Sequence, residues 1–254
     1  MNNSVETIIR EVLSNNNFLK SDKRVYRLIM SHLSEGVITI YGEENIGKKL
    51  FVINLLNNLI KFNIVEVLFL TDVHEKEETA IRFATSIAGN DPFTLSRING
   101  IDKYINNSIC LGEKIKISDY LVGNLVKILA FIKHSSAKHK IVILDKPSMT
   151  DLKKIDELAK RNNIIIINIV NFPIDSLRET GQMIRTLNEK SDVMVFLEHS
   201  FSTYENQIKV YILRNKVKQH ESIVLKINQE KQRVYELFEN NDCWEYPEDD
   251  DFPF

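Results

Sequence analysis

The sequence predicts an α/β fold: a mainly parallel sheet flanked by helices, with an antiparallel extension toward the C-terminus. Three observations predict it. Short apolar runs at 37–41, 65–70, 141–144, 164–170 and 193–197 lack the apolar–polar alternation of a half-exposed strand, as strands covered on both faces do. Stretches with apolar residues at helical spacing lie between these runs, the order that builds a parallel sheet. From residue 207 the pattern changes to three closely spaced short strands.

Taken in order, 4–14 and 22–33 read as helices, with Asp22 placed to cap the second. Val37, Ile38, Thr39, Ile40 and Tyr41 form a β-branched strand that ends at Gly42, and 50–60 reads as the helix that follows. Further helices are expected at 75–88, 118–134 and 150–161. The segments 207–213, 222–228 and 233–237 read as an antiparallel meander on one sheet edge. Residues 239–254 have no periodicity and carry Asn, Pro and acids, so they are expected to be disordered. The organisation is then N-terminal helices at 1–34, a core at 35–238 and an acidic tail at 239–254, with no internal repeat.

Composition narrows the class. The chain has 254 residues, 43% hydrophobic and 27% charged, an ordinary globular mixture able to bury a sizeable core. Cys110 and Cys243 are too far apart for a metal-ligand pair and too few for a disulfide scaffold, which suits a reducing, cytoplasmic setting. The first residues lack the basic and apolar regions of a secretory leader, and no apolar stretch approaches the roughly 20 residues that cross a bilayer. The net charge of −2 hides an asymmetry. The tail holds seven of the 35 acids and no Lys or Arg, leaving 33 basic against 28 acidic residues in 1–238, a formal excess of five. A basic body suits an anionic partner, though a solvated surface explains the excess equally well.

Gly42-Glu43-Glu44-Asn45-Ile46-Gly47-Lys48-Lys49 fits the phosphate-loop pattern G-x-x-x-x-G-K, with Lys49 where the motif has Ser or Thr. In such a loop the glycines let the backbone wrap phosphates, amides at the helix start donate to their oxygens, and Lys48 reaches the terminal phosphates. The final hydroxyl holds Mg²⁺, which an ammonium cannot do. Two readings stay open: a phosphate loop, or a tight strand-to-helix turn that no longer binds nucleotide. The strand at 141–144 ends in Asp145, the position of a carboxylate that orients Mg²⁺ in nucleotide-binding proteins, and equally of a loop cap.

With these elements in place, the chain resembles, over about 31–238, the RecA-like ATPase domain of DnaB-type replicative helicases. Asp175-Ser176-Leu177-Arg178-Glu179-Thr180-Gly181 is similar to that family's SDLRESG, and Ser191-Asp192-Val193-Met194-Val195-Phe196-Leu197 to its DADVVLFL strand. Leu213-Arg214-Asn215-Lys216 falls where the family has its K-x-R-N-G arginine-finger turn. The resemblance implies a RecA-like P-loop fold whose copies pack side by side, with the finger of one subunit reaching the nucleotide of the next.

Residue by residue the chemistry thins out. The family's S-L-E-M stretch aligns with Thr71-Asp72-Val73-His74, so its water-activating Glu falls on Val73, with Asp72 as a substitute base one place earlier. The sensor Gln falls on Asn171, and the finger Arg on Arg214, while the Lys two places before it falls on Ile212. The long DNA-contacting loop of the helicase is nearly absent between Asn171 and Asp175. Hydrolysis needs metal, base and charge stabiliser together, and such groups act as a unit. The expectation is a RecA-like domain that has lost efficient ATP turnover, with no confident catalytic residue among the degenerate positions Asp72, Asp145, Asn171 and Arg214. If nucleotide is retained, Gly42, Gly47, Lys48 and Lys49 hold it.

The last residues, Glu248-Asp249-Asp250-Asp251-Phe252-Pro253-Phe254, resemble the acidic tip of bacterial single-stranded-DNA-binding (SSB) proteins. That resemblance implies a Phe254 ring in an apolar pocket with its carboxylate paired to Arg or Lys, Pro253 limiting the entropy lost, and Asp249, Asp250 and Asp251 steering toward a basic rim. The alternative is a solubilising tail. Trp244 and Tyr246 offer a second contact or a fold-back onto the core. The six His residues show no metal spacing, so no metal site is expected. Lys133, His134, Lys138, His139 and Lys140 form a basic stretch that reads as a solvated loop, and Phe201 and Tyr204 as loop packing or base stacking.

The leading expectation is therefore a single-stranded-DNA-binding protein of replication or recombination, of mobile-element or viral type, that recruits the partners of SSB tails. Lys48, Lys49, Arg214, Lys216 and Lys218, with His220 beside them, are the candidate DNA contacts, and a homo-oligomer is expected. No cofactor is expected; ATP with Mg²⁺ belongs to the alternative of an active DNA-dependent ATPase, recombinase or helicase. A non-enzymatic replication adaptor is the third reading.

Overall fold

A computed structural model describes residue 29 and residues 36–60, 65–88, 114–119, 125–171, 177–199, 207–214, 219–228 and 233–236. The helices expected before residue 34 lie outside these, apart from Ile29, which is buried in the core. The tail lies outside them as well.

The strands are β1 (Gly36–Gly42), β2 (Val65–Thr71), β3 (Ile115–Asp119), β4 (His139–Asp145), β5 (Ile165–Asn171), β6 (Val193–His199), β7 (Gln207–Arg214), β8 (Gln219–Asn228) and β9 (Arg233–Glu236). The helices are α1 (Lys48–Ile60), α2 (Lys76–Ala88), α3 (Val126–His134), α4 (Met149–Asn162) and α5 (Leu177–Lys190), with a 3-10 turn at Val73–Glu75. The strands form one sheet in the order β3-β2-β4-β5-β1-β6-β7-β8-β9. Pairing is parallel from β3 to β6 and antiparallel from β6 to β9. The parallel sheet with an antiparallel extension is as the sequence predicts.

The absence of polar alternation in the central strands has a direct cause. In β1, Ile38 and Ile40 join one core layer with Leu50, Ile53 and Leu56 of α1, while Val37 and Tyr41 join the opposite layer with Leu152, Ile155 and Ala159 of α4. Successive residues point to opposite faces, so a strand covered on both must be apolar throughout. Each such side chain, fully buried, contributes about 1.5–3 kcal/mol.

Two elements depart from the sequence reading. The helix expected at 118–134 is present over 126–134 as α3, while Ser118 and Asp119 end a strand, β3, that the periodicity did not announce. β3 is a five-residue edge strand with half-buried Ile115 and Ile117 around exposed Lys116, too short for its alternation to stand out. The amphipathic α5 was not expected from periodicity, because Gly181 and many polar residues dilute a stripe whose buried anchor is Leu187.

Asp192 pins β1 to β6: Val37 N–H donates to its carboxylate (2.9 Å), and Asp192 N–H donates to Val37 O (2.8 Å). Ser191 Oγ lies 2.6 Å from Thr39 Oγ1 in the same buried seam. The C-terminal ends of β1, β2, β4 and β5 then lie along one sheet edge, bringing Gly42, Thr71, Asp145 and Asn171 to one rim, where open α/β sheets bind ligands.

Candidate functional site

The loop from β1 to α1 is held close against β6. A Cβ on Gly42 would stand 2.5 Å from the backbone oxygen of Leu197, so only glycine fits there. Gly47 takes φ +93°, and its missing Cβ leaves room for Ile227 Cδ1 of β8. Asn45 turns the loop at φ +62°, and Phe51 N–H donates to Gly47 O at 2.9 Å as the helix begins.

Lys48 and Lys49 open α1 with no acid in its first turn, so two ammonium groups share the positive end of the helix dipole. Each is compensated. Lys48, only 4% exposed, donates to the carbonyls of its own loop, Gly42 O at 3.0 Å and Glu43 O. Burial pulls its pKa down to about 8 against the raising influence of Glu44 and Asp145.

Lys49 reaches across the rim. Its Nζ lies 2.7 Å from Asp145 Oδ2 and 2.5 Å from Glu75 Oε2, with Thr71 Oγ1 at 3.5 Å. Thr71 in turn donates to Asp145 Oδ2 at 2.7 Å. The other Glu75 oxygen accepts from Lys146 Nζ at 2.8 Å, from a residue held at φ +56° just beyond β4. The Asp145 side chain is 2% exposed, so its pair with Lys49 is buried, whereas the Glu75–Lys146 pair at the outer side of the cluster faces solvent.

Glu75 was not singled out in the sequence. The ungapped alignment puts the base position on Val73, but the 3-10 turn leaves Val73 59% exposed and carries Glu75, two residues later, onto the lysines. The signal was an acid just past the β2 end; its direction depended on a turn that no local pattern announces. Hydrogen bonds from Lys146 and Lys49 pull the Glu75 pKa down to about 2. A carboxylate this acidic is a weak general base.

Asp72 is engaged elsewhere: it caps the 3-10 turn, its side chain accepting from His74 N–H at 2.9 Å. Asn171, half-buried, pairs in register with Gly42 at the rim. Arg214 pairs in register with Val193, whereas Gly42 pairs with Leu197, so the backbone of Arg214 stands at the opposite end of β6 from the loop. Lys216, Lys218 and Asp249 to Phe254 lie outside the described residues. The structure thus brings together Gly42, Gly47, Lys48, Lys49, Asp145 and Asn171, and separates Asp72 and Arg214 from them.

These residues do not fit a magnesium ion held as phosphate loops hold it. The expected hydroxyl is an ammonium, and that ammonium takes the Asp145 oxygen on which the metal's water shell would be oriented. Among the described residues no three His, Cys, Asp or Glu side chains are grouped to hold a metal, and no helix is long and apolar enough to cross a membrane.

Compared by sequence, the chain matches no protein-family model and no curated protein. Compared by structure, it is similar to an ATPase domain with TM-score 0.68 at 16% identity, covering 94% of this chain and 100% of that one. It is also similar to a DnaB-like replicative helicase, described with its interactions with primase, with TM-score 0.66 at 16% identity, covering 94% of this chain and 68% of that one. The fold is RecA-like, that of DnaB-like helicase ATPase domains.

The RecA-like rim has a pH signature. The folded pKa of Glu75 lies below its ordinary 4.5, so the cluster's contribution is full above pH 4.5 and is lost as pH falls toward about 2. Urea midpoints of wild type and Glu75→Gln are expected to differ most at neutral pH and to converge through that window. A constant difference down to the acid limit contradicts the pairing.

Proposed function

We propose that this chain is a single-stranded-DNA-binding protein of DNA replication or recombination, built on a RecA-like scaffold that does not turn over ATP efficiently. The observation that carries the reading is the pairing of Lys49 with Asp145 and Glu75. It supports the loss of hydrolysis because the lysine that replaces the metal-holding hydroxyl, the metal-orienting carboxylate Asp145 and the acid that the 3-10 turn brings to the rim, Glu75, are all committed to one another. Lys48, bonded to its own loop, adds to that support.

DNA binding is supported by the formal excess of five positive charges in 1–238 and by the helicase ATPase fold, that of proteins acting on nucleic acid. Lys216 and Lys218, in the segment after Arg214, are the proposed phosphate contacts, and Arg214 serves the face toward a second copy. The tip Asp249, Asp250, Asp251, Phe252, Pro253 and Phe254 is proposed to recruit proteins that read SSB tails.

Fluorescence anisotropy with an oligo-dT strand tests the reading. Binding is expected at low salt, weaker at high salt with a slope of about −0.7 per phosphate contacted, and unchanged by ATP with Mg²⁺. No binding at low salt removes the DNA reading and leaves the adaptor; binding that requires ATP and Mg²⁺ favours an active motor.

A further inference from the structure

We infer that the Lys49 ammonium is a tethered replacement for the divalent cation of a phosphate loop, so that the rim is complete without metal and a single substitution at 49 turns it into a metal site. The inference rests on reading 42–49 as a former phosphate loop.

The geometry around Nζ is that of a cation site. Three oxygens from three separate places surround it: Glu75 Oε2 at 2.5 Å, Asp145 Oδ2 at 2.7 Å and Thr71 Oγ1 at 3.5 Å. A primary ammonium has three protons to give, and hard divalent cations seek the same oxygen donors. Lys49 also holds the last position of the loop pattern, where the hydroxyl that ligates the metal normally stands.

The electrostatics close the argument from both sides. A cation in the first turn of α1 opposes the helix dipole, so Lys49 is tolerated there only because two carboxylates face it. Conversely, Asp145 at 2% exposure and Glu75 at 29% need a counter-charge. Lys146 supplies one to the far oxygen of Glu75, but among the ion pairs of the described residues Asp145 has only Lys49. Removing the ammonium takes away the one cation in direct contact with Asp145 among the described ion pairs, leaving only the more distant charges of Lys48 and Lys146 near it. Serine at 49 adds the missing hydroxyl.

Metal binding and melting of the full chain, with no DNA or nucleotide present, test this separately from the DNA reading. Mn²⁺ titrated into wild type is expected to find no site at the rim, and Mg²⁺ to leave the melting midpoint where KCl of equal ionic strength leaves it. Lys49→Ser is expected to melt lower without metal and to bind Mn²⁺. Mg²⁺ is expected to raise its midpoint by about 3–6 °C at a concentration about tenfold above the dissociation constant. Adding Asp145→Asn to Lys49→Ser is expected to abolish the gained site. The inference is overturned if Lys49→Ser binds Mn²⁺ no better than wild type, or if the Asp145→Asn change leaves the new site intact. Should Lys49→Ser not fold, the wild-type titration still decides: a Mn²⁺ site lost in Asp145→Asn means that Lys49 does not replace the metal.

Discussion

Lys49→Met is expected to lower stability by about 3 kcal/mol, the lower end of the range for breaking a buried ion pair. The lower end applies because the Lys49 side chain is 19% exposed and Thr71 still donates to Asp145 in the variant. The cost comes from leaving the Asp145 carboxylate without a cation in direct contact, with only the more distant Lys48 and Lys146 near it, in a site it cannot easily hydrate. The pair should therefore behave as a unit: Lys49→Met/Asp145→Leu is expected to recover most of the loss, since an apolar pair of similar size avoids the desolvation of two charges. Urea denaturation of the two single variants and the double reads this directly. A loss under about 1 kcal/mol for Lys49→Met means a screened surface pair, and the cluster then explains nothing about the loop.

The second large effect is expected at Gly42. Alanine there puts a Cβ 2.5 Å from Leu197 O, and the obstacle is backbone in a strand pinned by its own pairing to β1 and β7. Neither side can move without breaking ladder bonds, so Gly42→Ala is expected to cost about 3 kcal/mol, the upper end for overpacking. Gly47→Ala is the internal comparison. Its new Cβ meets the far end of the Ile227 side chain at 3.0 Å, which can shift, leaving mainly the strain of φ +93°, about 1–2 kcal/mol. Melting of both variants gives the order. If Gly42→Ala melts as wild type while Gly47→Ala does not, the loop does not lie against β6 as placed.

Much of the fold was written in hydrophobic texture. The runs at 37–41, 141–144 and 164–170 could be read as strands covered on both faces because a parallel sheet between helix layers leaves no polar side. The loop was legible too, since Gly42 and Gly47 meet backbone demands that few residues satisfy. Illegible elements were those whose determinants are long-range or diluted. β3 is an edge strand too short for its Ile115-Lys116-Ile117 alternation to stand out, and α5 has too few apolar anchors for its period to stand out. In the site, Lys49 could be recognised as an anomaly, but not its pairing with Asp145, because that contact exists only once the order β2-β4-β5-β1 has brought four strand ends to one rim. Glu75 was hidden for a different reason: a single 3-10 turn exchanges its place with that of Val73.

The most direct measurement of the central claim is phosphate release from ATP by the full chain, with Mg²⁺ and oligo-dT present, compared with Lys48→Ala and with protein-free buffer. The account predicts that wild type, the variant and buffer release phosphate at the same rate. Release by wild type that DNA stimulates and Lys48→Ala abolishes contradicts it, because Lys49 and Asp145 would then have to part and admit the metal in every cycle.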